Sequence, residues 1–128
     1  MSKYSSLNWE VDLPKNWEGE LENDIHLFYD PDGVGALQIS AYIKTDGAIT
    51  EKEILERTEL DENKHSHLLQ SEWGQFHGYH LIFREGDTFW KNWWLAKGNV
   101  FLFITYNCDI ADKDIEFKTI DMILSSLR

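Results

Sequence analysis

Between Leu68 and Tyr106 the chain is rich in apolar and aromatic residues, and it is punctuated at Trp73-Gly74, Glu85-Gly86-Asp87 and Lys97-Gly98-Asn99. Glycine tolerates the positive φ that tight hairpins need, so each of these points predicts a chain reversal. A parallel crossover takes about a dozen residues or more, and the spacing between turns leaves no such length. The segment therefore reads as an antiparallel meander, and a Rossmann-type sheet does not fit.

The flanking segments supply more strands and two helices. Trp9, Val11 and Leu13 alternate with Glu10 and Asp12 until Pro14 removes an amide donor, and Trp17 opens a second short extended piece. Ile25 to Tyr29 predicts a strand closed by the turn Asp30-Pro31-Asp32-Gly33. Next, Leu37, Ile39, Ala41 and Ile43 share one face of a strand and Gln38, Ser40 and Tyr42 the other, ending at Asp46-Gly47. Thr50 and Glu53 form a capping box that predicts a helix from Glu51 to Asp61. A terminal helix is predicted after Asp112 as N-cap, with Ile115, Ile120, Ile123, Leu124 and Leu127 at helical spacing and Asp112, Asp114 and Arg128 complementing its dipole. Met1 to Ser6, polar and ahead of the first alternation, are expected to be mobile.

These elements predict one α+β domain over residues 1–128: a curved antiparallel sheet of about six or seven strands flanked by two helices. With 42% hydrophobic residues, six of them Trp, the chain can build a core despite a formal charge of −11. That charge repels nucleic-acid phosphates and anionic lipid, so the expected partner is a protein with a basic surface, with no nucleic acid and no membrane. No apolar run approaches the ~20 residues needed to span a bilayer, and Met1 to Glu10 lack the regions of a secretory signal, which predicts a cytoplasmic protein. Cys108 is the lone cysteine, so no intramolecular disulfide can form, and its expected role is a small buried filler.

Chemistry-bearing patterns are weak. Glu18, Glu20, Glu22, Asp24, Asp30 and Asp32 cluster in sequence, but Asp30-Pro31-Asp32-Gly33-Val34-Gly35 breaks the ligand order of a calcium loop. His65 and His67 would share a strand face, whereas His77 and His80, an odd number apart, would not, and no zinc spacing accompanies them. There is no nucleophile elbow, and Gly33 and Gly35 lie between strands rather than before a helix that could cradle phosphate. No catalytic residue, cofactor or metal is predicted. In Thr88 to Leu95, Trp90 and Trp94 share one face with Thr88 and Asn92, and Phe89, Trp93 and Leu95 the other, which suits a strand covered on both sides or an aromatic binding surface.

The run Trp9-Glu10-Val11-Asp12-Leu13-Pro14-Lys15-Asn16-Trp17, followed by Phe28-Tyr29-Asp30-Pro31-Asp32-Gly33-Val34-Gly35-Ala36-Leu37-Gln38-Ile39-Ser40, resembles the amino-terminal half of Mog1/PsbP-like domains. The resemblance implies an antiparallel sheet with flanking helices and a binding or assembly role rather than catalysis. The chain looks even more like the small uncharacterised bacterial members of that group, some of which resemble immunity proteins that neutralise a toxin. No partner-contacting residue transfers by position.

The expectation is therefore a non-catalytic domain that binds a basic protein, an immunity-type inhibitor being its sharpest form. The expected contact surface is the acidic helix and adjoining turn carrying Glu51, Glu53, Glu56, Glu59 and Glu62. The competing expectation is a small-ligand protein or an unrecognised enzyme with an aromatic pocket of Tyr79, His80, Trp90 and Trp94.

Overall fold

The computed structural model describes residues 1–128. It is an α+β fold of nine strands and three helices, in which all strand pairs are antiparallel. Strands β1 (Ser2–Ser5) and β2 (Glu10–Leu13) form a small separate sheet. The main sheet has seven strands in the order β3-β4-β5-β9-β8-β7-β6. They are β3 (Glu18–Glu22), β4 (Ile25–Tyr29), β5 (Gly35–Ile43), β6 (Leu69–Trp73), β7 (Phe76–Glu85), β8 (Thr88–Lys97) and β9 (Val100–Asp109). The glycine turns of the meander fall as the sequence indicates, with Gly86 and Gly98 both at positive φ between paired strands.

The β3–β4 hairpin reverses without glycine. Asn23 and Asp24 take φ of 50° and 66°, a pair of left-handed residues whose short polar side chains tolerate that region best. At the β4–β5 turn, Asp30 accepts from the Asp32 amide through Oδ1 at 2.9 Å and from the Gly33 amide through its carbonyl at 2.8 Å. This is the Asx-type turn that Asp-Pro-Asp-Gly encodes.

Three expectations are corrected. Met1 to Ser6 are not a free end, because Ser2 to Ser5 pair with Leu13 to Glu10 and Tyr4 stacks edge-on against Phe28 at 4.7 Å. The predicted helix to Asp61 stops early: α1 is Glu51–Arg57, and Asp61 caps a separate single turn, α2 (Glu62–His65). The break has a local cause, since Thr58 Oγ1 donates to the Leu55 carbonyl at 2.6 Å and Glu59 turns to φ +57°. The terminal helix, α3, is Phe117–Ser125 rather than a helix capped by Asp112. Asp109 instead caps a 3₁₀ turn, Ile110–Asp112, and Ile115 remains 64% exposed.

The capping box is as read: Glu53 N donates to Thr50 Oγ1 and Thr50 N donates to Glu53 Oε1, both at 3.2 Å. The main core lies on one face of the large sheet, where Leu37, Ile39, Trp93, Leu95, Leu102 and Ile104 meet Ile120, Ile123, Leu124 and Leu127 of the carboxyl-terminal segment and Trp9, Val11 and Leu13 of the small sheet. The carboxyl terminus is pinned by a two-bond bridge between Glu10 and Arg128 (2.9 and 3.2 Å) and by Arg128 Nη2 on Asp12 at 3.0 Å. Gly74 at φ +60° lets the β6–β7 turn approach the Leu127 backbone, where a Cβ would overlap its carbonyl, while Gln75 N donates to Leu127 O at 2.8 Å.

Candidate functional site

The other face of the large sheet is covered only at one corner. There Ile54 of α1, with Ile49, packs on Trp94, Ala96 and Phe101 to form a second small core. Strand pairing fixes what lies beyond it, because side chains in register across neighbouring strands share a face. One row runs Glu20, Leu27, Gln38, Thr105, Asn92, Leu81. The row on one side contains Asn107, Trp90 and Phe83 and ends in the Glu18–Tyr29 pair; the row on the other contains Ser40, Phe103, Trp94 and Tyr79, with the Glu22–Ile25 pair at its end.

This register sorts the face by chemistry. Strands β7 to β9 carry an aromatic band, in which Phe83 and Trp90 stack with centroids 6.1 Å apart and Trp94 and Phe103 stack at 5.8 Å. Phe103 is 37% exposed, and Phe83 and Trp90 are half-buried. At the middle of the face Asn92 Oδ1 and Thr105 Oγ1, directly paired in register, have no hydrogen-bond partner within the protein. On the far side Glu18, Glu20 and Glu22, all exposed, border the face along the edge strand β3. Glu20 accepts from the Tyr29 hydroxyl at 2.8 Å, and this bond, with smaller help from Glu18, pushes the Tyr29 pKa up to about 12.

The acids of the predicted surface helix do not act as one set. Glu53 is committed to the cap and to Lys44 at 2.7 Å, which holds its carboxyl below the usual range and the Lys44 ammonium above its own. Glu51 accepts from the Tyr79 hydroxyl at 2.8 Å and lies 3.4 Å from His77 Nδ1. Glu56 Oε1 lies 4.0 Å from Lys52 Nζ, with both side chains exposed, and Glu59 and Glu62 are exposed beyond the end of α1. Glu56, Glu59 and Glu62 are thus the ones without a firm partner.

The predicted pocket does not form. Tyr79, Trp90 and Trp94 share the open face, but His80 points the opposite way, paired with Trp93, and contacts Ser71 Oγ through Nδ1 at 2.9 Å. The odd spacing of His80 from Tyr79 forces this, since neighbours along a strand face opposite sides. Trp94 is buried in the second core, whereas Trp90 stacks on Phe83 near the other end of the strand pair. Cys108 is buried as expected, and burial raises its thiol pKa. No three His, Cys, Asp or Glu side chains converge in a way that could hold a metal ion.

Two buried polar features went unread in the sequence. Lys91, 7% exposed, faces the main core with its ammonium 5.1 Å from the Trp73 ring, 5.0 Å from Trp93 and 3.9 Å from Asp121, and burial lowers its pKa. Glu116 is buried and accepts from Tyr106. A Lys at strand period among aromatics was the available signal for the first; the second had none.

No protein-family model matches the sequence, and no curated protein matches it. Among solved structures, a protein from Bacteroides thetaiotaomicron is similar over 94% of this chain, with 19% identity and a TM-score of 0.67. This chain spans 44% of that protein's length. The solution structure of cyanobacterial PsbP (CyanoP) from Synechocystis aligns over 99% of this chain and 91% of its own at 12% identity, with a TM-score of 0.45. The first likeness is one of fold alone, and the second is too loose to transfer a partner or a site. No helix is long and apolar enough to cross a membrane.

Proposed function

We propose that this is a non-catalytic, cytoplasmic binding domain that takes a basic protein partner on the open face of its large sheet. The reading rests on the register: the partly exposed aromatic residues Phe83, Trp90 and Phe103 of β7 to β9 share their face with an acidic border of Glu18, Glu20 and Glu22. Exposed aromatic area anchors interfaces, and charge at the rim steers encounter more than it adds affinity. Glu56, Glu59 and Glu62 extend the acidic rim past the covered corner. An inhibitor of a basic toxin is the narrowest form of this reading.

The test couples two variants to one captured protein. A partner recovered from native lysate at low salt is purified, and its on-rate is measured across a salt series. Replacing Glu18, Glu20 and Glu22 together with Gln should slow association several-fold and flatten the salt dependence, while Phe103→Ala should chiefly speed dissociation. A partner whose rates are unchanged by both variants binds elsewhere, and the reading fails. Loss of the partner's own enzymatic activity on binding would mark the inhibitor form.

A further inference from the structure

On the open face, where it meets the end of α1, a groove of about 280 Å³ is floored by Trp94, Phe101 and Phe103 and flanked by Tyr42, Arg57 and Glu59. We infer that this groove binds a small zwitterion with a flat apolar body, of the class of the aromatic α-amino acids: Arg57 takes the carboxylate, Glu59 the ammonium, and the aromatic floor the ring. This goes beyond protein binding and does not depend on it.

The arginine is the first ground. Of the three arginines, Arg84 lies 3.7 Å from Asp87 and Arg128 lies 3.0 Å from Asp12, but Arg57 has no carboxylate in ion-pair reach and donates no hydrogen bond within the protein. In a chain with twenty-three acids and twelve bases, that isolation is unexpected. Its guanidinium carbon lies 3.7 Å from the Tyr42 ring centroid and 5.3 Å from that of Phe101. Stacking restrains the group while leaving edge N–H groups free to grip a carboxylate by two parallel bonds.

The second ground is Glu59. It sits at φ +57°, a left-handed position that glycine or asparagine fills at lower cost, and it lines the groove with no hydrogen bond or ion pair to its side chain. Two residues from Arg57, it is not paired to it.

Charge selects between ligand classes. A simple anion would approach against a net charge of −11, and a simple cation would have to sit beside Arg57. A zwitterion satisfies both free groups and carries no net charge. The volume lies just under the usual range of ligand pockets, roughly 300–1,000 Å³, which suits one amino acid rather than a larger cofactor.

The test is calorimetric titration of the full chain with L-tryptophan, tryptamine and indole-3-propionate, the latter two each lacking one charge. L-Tryptophan should bind at least about ten-fold tighter than either analogue, since a charge-assisted contact is lost in each. Arg57→Gln should weaken L-tryptophan by a similar factor and leave tryptamine no weaker. Glu59→Gln should weaken L-tryptophan and leave indole-3-propionate no weaker. Thermal melts check that both variants fold. Absence of heat from L-tryptophan at about 5 mM overturns the inference, because even a Kd of ~1 mM would register there. An equal loss for all three ligands in either variant also overturns it, leaving only an apolar slot. Both variants keep Glu18, Glu20 and Glu22, so failure here is separable from failure of the protein-binding reading.

Discussion

The Tyr106 hydroxyl donates to Glu116 Oε1 at 2.8 Å, and both residues are buried, so a carboxylate at the start of α3 is held by a phenol of the central strand β9. Burial, then the bond to Glu116, raises the Tyr106 pKa far above its ordinary value. The pair sits beneath the β4–β5 turn, where Gly33 and Gly35 leave room for Glu116 and for the Tyr106 ring.

Tyr106→Phe removes the donor and leaves a carboxylate buried without its partner. The expected loss is about 1–3 kcal/mol of unfolding free energy, read by urea denaturation at neutral pH. Glu116→Leu together with Tyr106→Phe should cost less than the sum of the two single changes, because each single change leaves the other polar group buried without its partner and the double variant removes both. Strict additivity would mean that the two groups are not coupled.

Lys91→Met should leave stability unchanged or raise it by about 1 kcal/mol, since a well-packed apolar replacement for a buried charge is often neutral or favourable. Methionine keeps most of the stem length against Trp73 and Trp93, while the desolvated ammonium and its 3.9 Å contact with Asp121 are lost. A fall of several kcal/mol in a thermal or urea melt would show instead that the ammonium's contacts with those rings outweigh its desolvation.

Mild acid should weaken the fold through two partly buried histidines. Burial lowers the pKa of His26 and of His80 below the ordinary 6.5, with Lys91 adding to the effect at His80. Between 6.5 and those lower folded values the unfolded chain binds more protons, so stability is full above 6.5 and declines as pH falls through that window. The slope cannot exceed roughly 1.4 kcal/mol per pH unit for each imidazole. In a His26→Gln, His80→Gln variant, urea melts between these limits should lose most of that slope, whatever happens to absolute stability. An unaltered slope would place the proton uptake elsewhere.

Much of the fold was legible because it is locally encoded. The meander turns, the Asp30 turn, the capping box and the alternation of β2, β5 and β8 all rest on contacts within a few residues, and each appears where the residues place it. Element ends were less legible. The break after Arg57 needs Thr58 to bond back to Leu55 and Glu59 to enter the left-handed region, and neither residue type demands that choice. Ser2 to Ser5 look like a frayed end until Leu13 to Glu10 lie beside them.

The candidate site was legible only in part, for the same reason at longer range. By itself the sequence determined that Trp90 and Trp94 share one side of a strand and that acids crowd residues 18 to 24. It could not say that Glu20 and Asn92, far apart in the chain, lie in one row, because that follows from four strand pairings whose order no local preference sets. Tertiary structure alone decided which side of the sheet the terminal helix covers, and so which aromatic residues became core and which remained on an open face. A strand's alternation gives two faces of equal standing; burial against another element, a long-range event, chooses between them.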